Sequence, residues 1–90
     1  MSKIIKSIEE LDKELINVRE KELDPLVFAI LLNGNALSLK TIWLHEDESY
    51  EVENHIDGSI QYLSRKKLLD PKITHIAEAM RKNSFLLWYR

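Results

Sequence analysis

Three histidines, His45, His55 and His75, and a dense run of carboxylates are the residues of this chain whose chemistry could go beyond packing. The run HEDESYEVENHIDG, residues 45–58, holds Glu46, Asp47, Glu48, Glu51, Glu53 and Asp57, and neither Lys nor Arg. Zinc wants about four ligands in a tetrahedral array, and the three histidines are widely spaced with no H-x-x-x-H or comparable pair, so no metal is expected. Paired carboxylates do acid–base work when one of them has a raised pKa in a sheltered pocket. Glu51 and Glu53 alternate onto one side of an expected strand together with His55, and a hydrophilic strand face normally looks at water. Ser38, Ser49, Ser59 and Ser64 have no G-x-S-x-G elbow around them. Two glycines are too few for a phosphate-cradling loop. With no cysteine, thiol catalysis, disulfides and cysteine-ligated zinc are excluded. The chain is expected to be neither an enzyme nor the holder of a cofactor.

Charge layout is more informative. The formal net charge of −2 conceals an acidic middle and a basic end. From residue 58 onward Arg65, Lys66, Lys67, Lys72, Arg81, Lys82 and Arg90 face only Asp70 and Glu78. A solvated surface would account for the acidic run, but such surfaces usually intersperse both signs, because like charges along a strand destabilise it by a few tenths of a kcal/mol each. Screening over about 8 Å at physiological salt softens that cost without removing it. Capture of a basic protein surface, speeded by electrostatic steering, would give the charge a use. The basic end, with Trp88 and Tyr89, raises nucleic-acid binding as an alternative. The acidic run in the same small chain would repel the same phosphates, so nucleic acid is not the expected partner. Tyr50, Tyr62, Trp43, Trp88 and Tyr89 are expected mostly in the core, with the terminal LLWYR as a possible contact edge.

The elements that must position these groups are legible from spacing. Ser7 and Glu10 form the S-x-x-E pattern of a capping box. Ile8, Leu11, Leu15 and Val18 then recur at steps of three and four, predicting a helix that Asp24-Pro25 stops. KIIK ahead of it is either a short strand or an extra turn. LVFAILL predicts a strand buried on both faces, and Asn33-Gly34 predicts a two-residue hairpin turn. ALSLKTIWLH returns with Leu37, Leu39, Thr41 and Trp43 on one side. After the HEDES turn, Tyr50, Val52, Asn54 and Ile56 are expected to face the core and Ser49, Glu51, Glu53 and His55 the other way. Asp57-Gly58 turns into a short SIQYL strand, and SRKKLL is a helical turn or a loop. Asp70 as N-cap and Pro71 in the first turn predict a second helix with Ile73, Ile76, Ala77 and Met80 buried. Arg81 and Lys82 suit its C-terminal end, Asn83 can end it, and SFLLWYR follows as a strand. The order α-β-β-β-β-α-β predicts an α+β fold, an antiparallel sheet of about four to five strands with two helices packed on one face.

Ninety residues, 44% apolar and 31% charged, fit one soluble domain spanning 1–90. No window approaches the ~18 apolar residues of a membrane span. The N-terminus has too short an apolar run for a signal peptide, so the expected location is the cytoplasm. The pieces SIEELDKEL, DPLVFAILLNGNALSL and DPKITHIAEAMRKNSFLLW resemble the first-numbered Imm family, immunity proteins of bacterial polymorphic toxin systems, although this chain is shorter and lacks that family's glycine-rich strand after the first hairpin. The resemblance implies a non-enzymatic protein that binds and blocks a toxin, often a nuclease or deaminase with a basic cleft. The expected contact is Glu46, Asp47, Glu48, Glu51 and Glu53 with His55 and Tyr50. A related expectation is a phage- or mobile-element-encoded inhibitor of a defence or transcription protein. The alternative from another class is a structural homodimer formed through the C-terminal strand.

Overall fold

The computed structural model describes residues 2–32 and 35–88. Ser7 opens the first helix as its spacing predicts, its hydroxyl accepting from the Glu10 amide at 3.2 Å. Helix α1 (Ile8–Glu20) buries the expected stripe of Ile8, Leu11, Leu15 and Val18. It ends before Asp24-Pro25, however. The Leu23 amide donates to the Val18 carbonyl at 3.0 Å and the Glu22 amide to the Arg19 carbonyl, with Glu22 left-handed at φ 53°. This is a Schellman termination without its customary glycine, so no residue type announces it. KIIK resolves in favour of strand β1 (Ser2–Ile4).

Five further strands follow: β2 (Val27–Leu32), β3 (Asn35–Leu44), β4 (Tyr50–Asn54), β5 (Ile60–Leu63) and β6 (Phe85–Trp88). They form one antiparallel sheet in the order β1-β6-β2-β3-β4-β5. The α+β class therefore stands, with six strands and three helices among the described residues rather than four to five and two. β6 lies between β1 and β2, so the C-terminal strand expected to offer a dimer edge has both its edges paired. The sheet's edges are β1 and β5. Between Ile30 and Leu31 the β2–β3 register slips by one residue, a bulge on β3. The Asn33-Gly34 turn, the side chain of Leu37 and Tyr89 lie outside the described residues.

The registers sort the strands into two faces, since cross-strand partners share a side. One face carries Phe28, Ile30, Ile42, Leu44, Tyr50, Val52, Leu63, Phe85 and Leu87, and all of these join a single buried cluster with the helix residues Ile8, Leu11, Leu15, Leu68, Ile76, Ala79 and Met80. Phe28 and Phe85 stack at its centre, rings 5.1 Å apart and 8° from parallel. Thus the helices cover one face, as expected. Ile56 does not join this face. β4 stops at Asn54, whose side chain accepts from the Ile56 amide and whose carbonyl accepts from the Gly58 amide, and Ile56 is left 70% exposed.

SRKKLL forms a single helical turn, α2 (Arg65–Leu68), capped by the Ser64 hydroxyl accepting from the Lys67 amide. Asp70 accepts from the Lys72 amide at 2.9 Å and starts one turn, but that turn does not run into the next helix. The Thr74 hydroxyl donates to the Leu68 carbonyl and accepts from the Ile76 amide, and α3 (Ile76–Arg81) begins only beyond it. The predicted stripe shifts accordingly: Ile76, Ala79 and Met80 are buried, whereas Ile73 is exposed and Ala77 only half-buried. Asn83, at φ 54°, terminates α3 as expected, the Ser84 amide donating to the Ala79 carbonyl. No described helix is long and apolar enough to cross a membrane.

Phe28→Ala removes one ring of the central stack, and about 3–5 kcal/mol of stability should go with it. Urea unfolding should show a lower midpoint with an unchanged slope.

Candidate protein-binding surface

The other face of the sheet has no helix over it. In register across it run Ile4, Leu86 and Trp88, then Val27 and Ala29, then Leu39, Thr41 and Trp43, then Glu51 and Glu53, then Ile60 and Tyr62. None of these belongs to the buried cluster under the helices. LVFAILL is apolar on both sides, as its composition requires, but its outer side is covered only by neighbouring side chains. Ala29, between Leu86 and Leu39, is fully buried that way. Among the described residues eight large hydrophobic side chains are exposed, and five of them, Ile4, Leu39, Ile60, Tyr62 and Trp88, stand on this one face. Leu23 and Pro25 line a shallow depression at its rim with Thr41, Trp43, Glu51 and Glu53. Apolar side chains are normal on a surface when scattered; here five stand on the one face that no helix covers.

The expected contact residues divide. Glu51 and Glu53 lie half-buried on the open face, Glu53 beside Thr41 and Ile60 in register. His55 was expected to point the same way, and its Nε2 shares a 2.6 Å hydrogen bond with Thr41 Oγ1 rather than meeting either carboxylate. The imidazole that meets Glu51 is His45, with Nε2 3.0 Å from Oε1. Its ring also lies 6.5 Å from Trp43 and 6.4 Å from Tyr62. A short aromatic and carboxylate cluster thus forms where β3, β4 and β5 meet. His45 and Glu51 share a hydrogen bond, but the pair is 38% and 33% exposed on an open face, without the enclosure acid–base catalysis uses. Among the described residues no group of three His, Asp or Glu is placed to hold a metal ion.

The HEDES turn is less exposed to repulsion than its composition suggests. Asp47 accepts from the Ser49 amide at 3.0 Å and the Ser49 hydroxyl at 2.6 Å, bonds that hold its carboxyl below the usual carboxylate range. Asp57 likewise accepts from the Ser59 amide. The turn also shares a depression with Asp12, Arg19 and Arg65, and Arg19 Nη1 donates to the Leu44 carbonyl at 3.1 Å. Helix cations therefore stand beside Glu46, Asp47 and Glu48, a compensation invisible in the local sequence. Among the described residues the carboxylates of Glu46, Glu48 and Glu53 make no hydrogen bond or ion pair.

Tyr50 is not on the open face. It is 2% exposed in the core, and its hydroxyl donates to Asp12 Oδ1 at 2.5 Å, tying β4 to α1. Sequence alternation gave its face correctly but could not supply Asp12, 38 residues away. What the sequence reading missed is the open apolar face itself. The signal available was the pair of two-sided apolar strands, VFAILL and FLLW, in a chain predicted to place its helices on one side only.

Comparison of the chain with protein-family models, with curated proteins and with solved structures gives no match.

Burial and the Asp12 carboxylate push the Tyr50 phenol well above its ordinary value. A pKa raised on folding contributes stability that is complete below the unfolded value near pH 10 and is lost as pH rises toward the folded one. Tyr50→Phe should therefore be less stable than wild type at pH 7, by about 1–3 kcal/mol for a lost hydrogen bond to a charged group. Chemical denaturation between pH 7 and 11 should show that difference narrowing above pH 10.

Proposed function

We propose that this protein is a non-enzymatic binding module that neutralises a protein partner, and that the partner sits on the open face of the sheet. The observation that carries the reading is the gathering of exposed Ile4, Leu39, Ile60, Tyr62 and Trp88 on one helix-free face beside Glu51 and Glu53. Aromatic residues are enriched among the anchors of protein contacts. Among the described residues the formally charged strand side chains on that face are the carboxylates Glu51 and Glu53, so the complementary surface carries apolar side chains surrounded by Lys and Arg. A nuclease, deaminase or defence protein with a basic cleft has that character, and immunity-type blocking follows if the contact lies over the cleft. In this reading Glu46 and Glu48, at the neighbouring turn, extend the acidic field and act on the rate of encounter more than on the lifetime of the complex.

The test is co-expression with the product of the adjacent gene, followed by purification of the complex and measurement of association and dissociation rates. Glu51→Lys with Glu53→Lys should slow association at least tenfold and flatten its salt dependence, while Trp88→Ala should mainly speed dissociation. Glu46→Lys with Glu48→Lys should slow association by a smaller factor. Capture unaffected by the first pair and by Trp88→Ala would remove the open face as the contact. A mass near twice 10.6 kDa for the protein alone, abolished by Trp88→Ala, would instead make the occupant a second copy of the chain.

A further inference from the structure

The helix side of the sheet is not uniformly filled. α1 covers the end near Leu44 and Tyr50, through Arg19 and Asp12. α3 is only six residues long, because the chain uses Asp70 to Thr74 in a separate turn. Between α3 and the far end of β2, β3 and β4 a cavity of about 320 Å³ remains. Its lining is mainly apolar, including Ile30, Leu31 and Ala79, and the Lys40 side chain enters it from the sheet. The volume falls at the lower end of the roughly 300–1,000 Å³ usual for small-molecule sites, which pair apolar walls with a few polar groups.

Lys40 is the group the fold does not explain. It lies on the core face, in register with Phe28 on one side and Asn54 on the other, and is half-buried. Among the described residues its ammonium makes no hydrogen bond and no ion pair within 4.0 Å. Desolvation lowers its pKa, and the more distant Asp57 offsets only part of that effect. The other charges at the cavity are already matched. Lys82 Nζ donates to Glu78 Oε1 at 2.8 Å, and His75 stands 4.0 Å from the same carboxylate. Ser38, Ser84 and Asn54 add neutral polar atoms to the lining. A cation held at an apolar cavity without a counterion is costly unless an anion completes it.

We infer that this cavity binds a small carboxylate with an apolar body, its carboxylate meeting the Lys40 ammonium and its hydrocarbon part lying between Ile30, Leu31 and Ala79. The site is on the opposite side of the sheet from the proposed partner surface, so the two stand or fall separately. The experiment is an amide-resolved NMR titration with octanoate, with octan-1-ol as the neutral probe, on wild type, Lys40→Met and Lys40→Arg. Octanoate should shift the amides of Ser38, Lys40, Ala79 and Ser84, with a Kd at least tenfold weaker in Lys40→Met and within about threefold in Lys40→Arg. Octan-1-ol should bind wild type and Lys40→Met alike. The inference fails if octanoate leaves those amides unmoved, if Lys40→Met binds it as tightly as wild type, if both variants lose it equally, or if octan-1-ol weakens in parallel.

Discussion

Covering a six-stranded sheet on both faces takes more helix than this chain forms. α1 has thirteen residues, α2 four and α3 six, and their buried side chains, Val18 apart, join one cluster on one face. The apolar content of β2 and β6 exceeds what that single layer can take in, so the remainder emerges on the other side. The open face is thus a consequence of supply: the strands were given two apolar sides and the helices only one. A solvated antiparallel sheet usually answers this with polar residues on its outer positions. Here that answer appears at Thr41, Glu51 and Glu53, while Leu39, Trp88, Ile4 and Ile60 depart from it.

The same limited helix explains the cavity. Where α1 reaches, Tyr50 and Arg19 pin the two layers together with hydrogen bonds that cross between distant parts of the chain. Where only α3 reaches, a gap remains with a half-buried cation beside it. The acidic run changes meaning in the folded molecule. Two of its carboxylates, Asp47 and Asp57, shape turns, and Glu51 is engaged by His45. Glu53 is the one that stands unengaged on the open face itself.

Much of this was legible in the residue order, and what was not has identifiable causes. Periodicity located α1 and its buried stripe, and alternation placed Tyr50 and Val52 inward and Glu51 and Glu53 outward. It failed at Ile56, because Asn54 turns the backbone before the alternation can continue. The end of α1 was misplaced because Glu22 adopts the left-handed conformation without the glycine or asparagine that would advertise it. The start of α3 was misplaced because Asp70-Pro71 does begin a turn, and only Thr74, bonded to both Leu68 and Ile76, interrupts it. Strand order was the least accessible property. Nothing local to FLLW says that it inserts between β1 and β2, since that choice is made by partners more than fifty residues away. The partnering of His45, rather than His55, with Glu51 depends on the same kind of non-local geometry.

The insertion of β6 has a kinetic side. β2 and β3 can zip as a local hairpin as soon as both exist, and β4 and β5 can add to them in turn. β1 cannot join this growing sheet, because its only neighbour is β6, with Ser2 opposite Trp88. Until β6 arrives, β2 presents a free edge with apolar side chains on both sides, the kind of template that recruits other chains. Closing the widest loops last makes folding slow for the size of the protein. The interval between hairpin formation and β6 docking is therefore when the chain is most prone to associate with itself, and agents that shorten it should raise the yield of refolding more than agents that stabilise the finished fold.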